Sequence, residues 1–202
     1  MIYIANKRRK LERIQKQYPN AIILDITSSS PYRYGQILSP FFPHGNIPIP
    51  FSDGATGDSV EGIWQGLKVF EGCGIDESAF HNTAMKKIKR TIRKYGKPLG
   101  HQKGLNSLEL LPYGEARELI YIPSYKWVLD NIPEVKDMVR RIAEKAMESD
   151  IVLLDYNTNE DWKNLKSPLS HASLLKLYIE GSYPGTKQIK PEIVQLSLFE
   201  DL

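Results

Sequence analysis

The chain has 202 residues with 41% apolar and 10% aromatic content, which is enough for one well-buried core in one domain. No window approaches the roughly 20 consecutive apolar residues of a membrane span. A lone Cys73 excludes a disulfide framework and a cysteine-rich zinc site, and the histidines at 44, 81, 101 and 171 lack metal-ligand spacing, so neither metal nor cofactor is expected.

At the N-terminus a short apolar run precedes Lys7-Arg8-Arg9-Lys10, the reverse order of a secretory signal, and a cytoplasmic protein is expected. Residues 2–5 and 21–26 read as short strands, the second apolar enough to be buried. Between them, residues 7–18 predict a basic helix with Leu11, Ile14 and Tyr18 inward. From Tyr32 to Gly57 the prolines at 40, 43, 48 and 50 forbid a long helix, while Phe41, Phe42, Ile47 and Ile49 argue for an ordered loop, a candidate pocket wall.

Residues 58–70 predict an amphipathic helix capped by Asp58 or Ser59, with Val60, Ile63, Trp64, Leu67 and Phe70 at core spacing. At about 100° per residue, Glu61, Trp64, Gln65 and Lys68 share one sector. A carboxylate in the first turn is stabilised by unpaired N–H groups and the positive end of the helix dipole, which suits an acid that must face a developing cation. The alternative is structural: with Asp58 as N-cap, Glu61 sits at N3 in a capping box and Trp64 is core.

Met85, Ile88, Ile92 and Tyr95 predict a further helix, closed by Gly96. Its outer faces would carry Lys86, Lys87, Lys89, Arg90, Arg93, Lys94 and Lys97, with no acidic residue as far as Lys103. This ridge either tracks a nucleic-acid or polyphosphate backbone or is a solvated face. Pro133 opens a helix with Val135, Met138, Val139, Ile142 and Ala146 on one face, and residues 151–155 form a buried strand ending on an acid. The sum is an α+β fold, a mostly helical single domain with a few short strands over residues 1–183. A flexible tail is expected over residues 184–202.

Ser59-Val-Glu61, Gln65 and Lys68-Val-Phe70, preceded by Leu38-Ser-Pro-Phe-Phe-Pro43, resemble the signature of the NADAR family, the NAD- and ADP-ribose-associated N-glycosidases, in which an "SNF-P" segment precedes an "SVEH-Q--K" helix. Residues 93–101 are similar to the family's "AK-LGR" stretch. Residues 124–127 lie where the family has a helix leading to its second half, and residues 151–155 with Asp161-Trp162 are similar to its "LVE…D-WG" pattern. Gly62 replaces the family's histidine, Lys163-Asn164 replaces a glycine, and Ser170-His171-Ala172 stands where "G-N-LG" is expected. The resemblance runs from about residue 34 to 179 and is specific over its first third. It implies a NADAR-like fold and hydrolysis of an N-glycosidic bond, with Glu61 as a catalytic residue.

Breaking such a bond builds positive charge on the sugar carbon and negative charge on the leaving base, so a carboxylate and a proton donor are needed. Asp155 and Asp161 are the acids expected opposite Glu61, although an Asn/Asp-rich loop also serves as turn chemistry. Trp64, Trp127 and Trp162 are candidates for stacking on a purine or for the core. Lys68 and His101 are candidates for holding phosphates, and Phe41 and His171 complete the substrate-binding set.

In the tail, Gln195-Leu196-Ser197-Leu198-Phe199 resembles the bacterial sliding-clamp-binding motif, a short extended peptide with two apolar anchors; an edge strand packed on its own domain is the alternative. The leading expectation is a bacterial or phage N-glycosidase that removes ADP-ribose or a related modification from a base, guanine first, in DNA or nucleotides, with the clamp as a partner and no membrane. Excision of a modified base, or a non-catalytic DNA- and clamp-binding protein on the same scaffold, are the rivals.

Overall fold

The computed structural model describes residues 1–185, so the clamp-binding peptide expected at Gln195–Phe199 lies outside the described residues. In chain order the elements begin β1 (Ile2–Asn6), α1 (Leu11–Gln17), β2 (Ile22–Asp25), α2 (Arg33–Gln36), β3 (Ile47–Pro48), β4 (Thr56–Gly57), α3 (Val60–Gly66) and β5 (Lys68–Phe70). There follow α4 (Glu77–Phe80), α5 (Ile92–Tyr95), β6 (Pro98–Gln102), β7 (Leu110–Leu111) and α6 (Tyr113–Ala116). A π-helical turn at Arg117–Tyr121 joins α6 to α7 (Ile122–Asn131), and α8 (Pro133–Glu148), β8 (Ile151–Asp155) and α9 (His171–Ile179) complete the fold. The class is α+β, as the sequence predicts.

The centre is a parallel three-stranded sheet in the order β1-β8-β2, with Ile2 and Ile22 both level with Ile151. Every residue of β8 is buried, as a central strand covered on both faces requires. Its side chains alternate: Ile151 and Leu153 enter the main core, whereas Val152 and Leu154 meet Ile14 of α1 on the other face. Helix α8 buries Val135, Val139 and Ile142 on its predicted face. Sheet β5-β6-β7 is antiparallel and pairs Lys68 with His101. Among the described residues no helix is long and apolar enough to cross a membrane.

Three predicted helices are shorter than expected, each because a polar side chain or a close contact redirects the chain. Lys7 stays outside α1 because its ammonium binds Asp25 at 2.6 Å, Thr27 at 2.9 Å and Ser29 at 2.7 Å. Leu11, expected inward, is 51% exposed. The helix expected through Phe70 stops at Gly66, where a Cβ would lie 2.2 Å from the Phe80 ring, and Leu67 then accepts a bond from Gln102 so that Lys68–Phe70 joins a sheet. Of the basic helix expected from Met85 to Tyr95, one turn exists. Met85 and Lys87 take positive φ (56° and 60°), and Arg90 turns inward to donate to the carbonyls of Lys68 and Gly74. Ile92, expected in the buried stripe, is exposed.

Gly62 is forced by packing. A Cβ there would lie 2.5 Å from the Ala79 carbonyl oxygen and 2.9 Å from Ser59 Oγ, so this backbone has no room for the histidine of the resembling motif. Alanine improves helix propensity by about 1 kcal/mol, but overpacking of this kind costs about 1–3 kcal/mol. Gly62→Ala is therefore expected to lower the urea midpoint; an unchanged or raised midpoint would mean that α3 and α4 separate freely.

Candidate active site

A cavity of about 370 Å³ opens beside the carboxyl ends of β2 and β8, where parallel sheets present their loops to ligands. Thr27 and Ser28 follow β2, and Asp155, Tyr156 and Asn157 close β8. The remaining walls come from Ser39–Phe41, from one side of α3, from residues 89–92, from the π turn, and from the start of α9.

Glu61 stands in the first turn of α3, 6% exposed and against this cavity. The N-cap is Ser59, whose hydroxyl accepts from the Gly62 amide at 3.0 Å. That places Glu61 at N2, and the capping box with Asp58 is not formed. The Glu61 amide donates instead to the Pro40 carbonyl at 2.8 Å, which ties the proline-rich segment to the helix start and joins the two motif pieces in space. Backbone demands at the helix start are thus met without the carboxylate. Glu61 Oε1 accepts from Gln65 Nε2 at 2.9 Å, and Gln65 Oε1 accepts from Lys68 Nζ and from the Arg90 amide, each at 3.0 Å. Burial, only partly offset by Glu61, holds the Lys68 ammonium below its ordinary pKa.

Asp155 and His171 form a buried ion pair, Nδ1 to Oδ2 at 3.0 Å. The other ring nitrogen of His171 meets the Ile26 carbonyl at 2.9 Å, an acceptor only, so with Asp155 ionised both ring nitrogens carry protons. Burial would lower the His171 pKa, but Asp155 and the Ile26 carbonyl raise it above the usual value. Burial likewise opposes the Asp155 charge; the His171 ring, the Ser170 hydroxyl at 2.7 Å and the Tyr156 amide at 2.6 Å outweigh it and hold the carboxyl low. With three donors already on it, Asp155 is built to stay anionic rather than to exchange protons.

His101 departs from expectation. It lies in β6, not in a loop, stacks on Trp64 with centroids 3.7 Å apart, and neither ring nitrogen has a hydrogen-bond partner among the described residues. Burial first, then the Lys68 charge, lowers its pKa to about 3, so a neutral ring replaces the expected phosphate-holding cation. A buried polar atom left unpaired costs roughly 1–3 kcal/mol. Trp64 has one face on His101, with Tyr113 and Tyr121 at its edges, and this leaves it as a wall of the cavity more than a free stacking platform.

The cavity brings together Phe41, Glu61, Trp64, Lys68, Lys89, Arg90, Asp155 and His171 from the predicted set. It does not include Asp161, an exposed turn residue whose carboxylate accepts from the Lys163 amide at 2.9 Å. Trp127 and Trp162 pack against the core away from it. Of the basic residues, Lys86, Lys87, Arg93, Lys94 and Lys97 are exposed and do not line the cavity, whereas Lys89 lines it and Arg90 is buried in its wall.

Sequence reasoning missed Tyr113, Arg117 and Tyr121. Arg117, 2% exposed, donates to the carbonyls of Trp162, Asn164 and Ser167 and to the Tyr113 hydroxyl, and so pins the loop before α9. Burial, with Glu61 and Asp155 adding to it, raises the Tyr121 hydroxyl far above the ordinary phenol pKa. Such π turns cluster at functional sites, but the extra residue leaves no periodic signature in one sequence.

A family model matches residues 6–175, the stretch that contains every cavity residue. The chain belongs to DUF6939, a family of unknown function. No curated protein matches the chain. The DUF6939 match runs from the last residue of β1 into α9, so β2, β8 and both carboxylates of the cavity lie within it.

The two buried histidines of this DUF6939 protein should titrate in opposite directions. In ring NMR His101 is expected to stay neutral until about pH 3, and His171 to stay charged above 6.5. By linkage, the contribution of His101 is full above its unfolded value of 6.5 and is lost as acid approaches about 3. The contribution of Asp155 is full above 3.8 and is lost through its lowered folded value; that of His171 is full below 6.5 and is lost as pH rises through its raised one. Titration of His101 near 6.5 would refute the buried neutral assignment.

Proposed function

We propose that this DUF6939 protein is a cytoplasmic N-glycosidase of the NADAR kind, removing ADP-ribose or a related modification from a base, guanine first, in DNA or nucleotides. One observation carries the reading. Glu61 is a nearly buried acid that its helix does not use for capping and that borders a ligand-sized cavity at the ends of parallel strands.

In this reading the carbon–nitrogen bond breaks with its electron pair passing to the base nitrogen. Glu61 stabilises the positive sugar carbon and takes a proton from the water that adds to it. Gln65 holds one carboxylate oxygen in place. Lys68, whose burial makes its ammonium readier to release a proton, gives that proton to the leaving base nitrogen. Asp155 and its His171 partner act by fixed charge, not by proton transfer. The exposed lysines of residues 86–97 would follow a DNA backbone, and the Gln195–Phe199 peptide would bring the enzyme to the replication clamp.

Glu61→Gln should lower hydrolysis of ADP-ribosylated guanosine by at least about 100-fold while leaving the melting temperature near wild type. Retained turnover would remove Glu61 from the mechanism. DNA binding should weaken steeply with salt, and Lys87→Ser with Lys94→Ser should reduce the slope of log K against log salt by about 2. Absence of DNA binding at low salt would restrict the substrate to free nucleotides. The exclusion of a side chain at position 62 favours the rival, a non-catalytic binding protein; DNA binding without turnover on any glycoside would select it.

A further inference from the structure

A second cavity of about 250 Å³ adjoins the first and shares Lys68, Arg90, Ile92 and Tyr113 with it. Its other walls are Phe70, Pro98, Leu99, Gly100 and His101. Leu99 and His101 are two apart on β6 and therefore face the same side of the strand. Leu99 is 58% exposed and His101 is 2% exposed, so this side of the strand passes from solvent at Leu99 to the interior at His101.

Among the described residues, four buried side-chain polar atoms lack a hydrogen-bond partner, and three of them, Arg90 Nε and both ring nitrogens of His101, belong to residues in this one wall. Protein interiors rarely leave such atoms unpaired, and a cluster of them beside a cavity calls for a partner from outside the chain. The partner must accept from the Arg90 N–H. A neutral imidazole offers one donor and one acceptor on diverging sides of its ring, so the partner must present the complementary group to whichever nitrogen it meets. Phe70, Ile92, Pro98 and Leu99 add apolar surface, which suits a flat ring and not a bare anion.

We infer that the second cavity is a subsite for a neutral, planar, carbonyl-bearing heterocycle such as a nucleobase, held at its edge by His101 and Arg90. Its ring lies against Phe70 and Leu99 and reaches the first cavity past Lys68 and Tyr113. The inference deepens the glycosidase reading and rests on it only in naming the heterocycle as the leaving base.

The test is calorimetric titration of the full chain with hypoxanthine, in parallel with NMR of the His101 ring nitrogens. Wild type is expected to bind, with both ring nitrogens shifting. His101→Phe, which keeps an aromatic ring for Trp64 to stack on, is expected to lose at least about tenfold in affinity. Should that variant unfold, Leu99→Trp at the exposed mouth provides the second reading and is expected to weaken binding by obstruction. No binding to wild type, equal binding to both variants, full displacement of hypoxanthine by inorganic phosphate, or ordered water alone at His101 would each overturn the subsite. None of these readouts depends on hydrolysis. An inactive protein that binds hypoxanthine through His101 would therefore retain the subsite and lose the glycosidase, whereas an active one that ignores hypoxanthine would do the reverse.

Discussion

The buried pair between Asp155 and His171 joins three elements that are remote in sequence: the end of β8, the start of α9 and, through the Ile26 carbonyl, the turn after β2. Removing two charges from water is costly, and the pair holds because each remaining polar site is also met, by Ser170, by the Tyr156 amide and by that carbonyl. The geometry of the cavity follows. With α9 anchored, the loop before it is drawn over the site and pinned from the opposite side by Arg117. Breaking the pair would disturb that loop, the strand ends and the helix start together.

The second constraint is the start of α3. The Ser59 hydroxyl and the Pro40 carbonyl meet its free amides, so Glu61 can keep its carboxylate for Gln65 and the cavity. The proline-rich segment earns its order here, because an acceptor must be delivered to one amide and because Tyr125 fixes the preceding carbonyl at Leu38 with a bond of 2.7 Å. From Glu61 the chain of bonds runs through Gln65 to Lys68 and to the Arg90 backbone, so the acid, the amine and the wall of the second cavity form one connected unit. A substitution at Gln65 would therefore be felt on both sides.

The elements read best from the sequence are those whose burial pattern is their own. Strands β1, β2 and β8 and helix α8 carry periodic apolar residues, and their predicted and observed positions agree within a residue or two. The basic segment shows the opposite case. Its spacing of Met85, Ile88, Ile92 and Tyr95 satisfies a helical template, yet Arg90 gains more from the carbonyls of Lys68 and Gly74 and from the Phe70 and Tyr95 rings than a single helical turn could offer. Likewise Lys68 stays beside Gln65 although it sits in a strand, because the strand begins directly where the helix stops.

By itself the sequence determined the α+β class, the three central strands, the aromatic wall at Phe41 and the placing of Glu61, Gln65 and Lys68 on one side, because these depend on local spacing and on apolar pattern. Only the tertiary structure decided that the strands pair in parallel, that Ser59 and not Asp58 caps α3, that Asp155 is held by His171, and that His101 is a neutral ring whose two nitrogens lack a partner among the described residues. The sheet pairing and the Asp155–His171 contacts depend on which remote group arrives within about 3 Å, and residues 15 to 145 positions apart in the chain leave no periodic trace of that meeting.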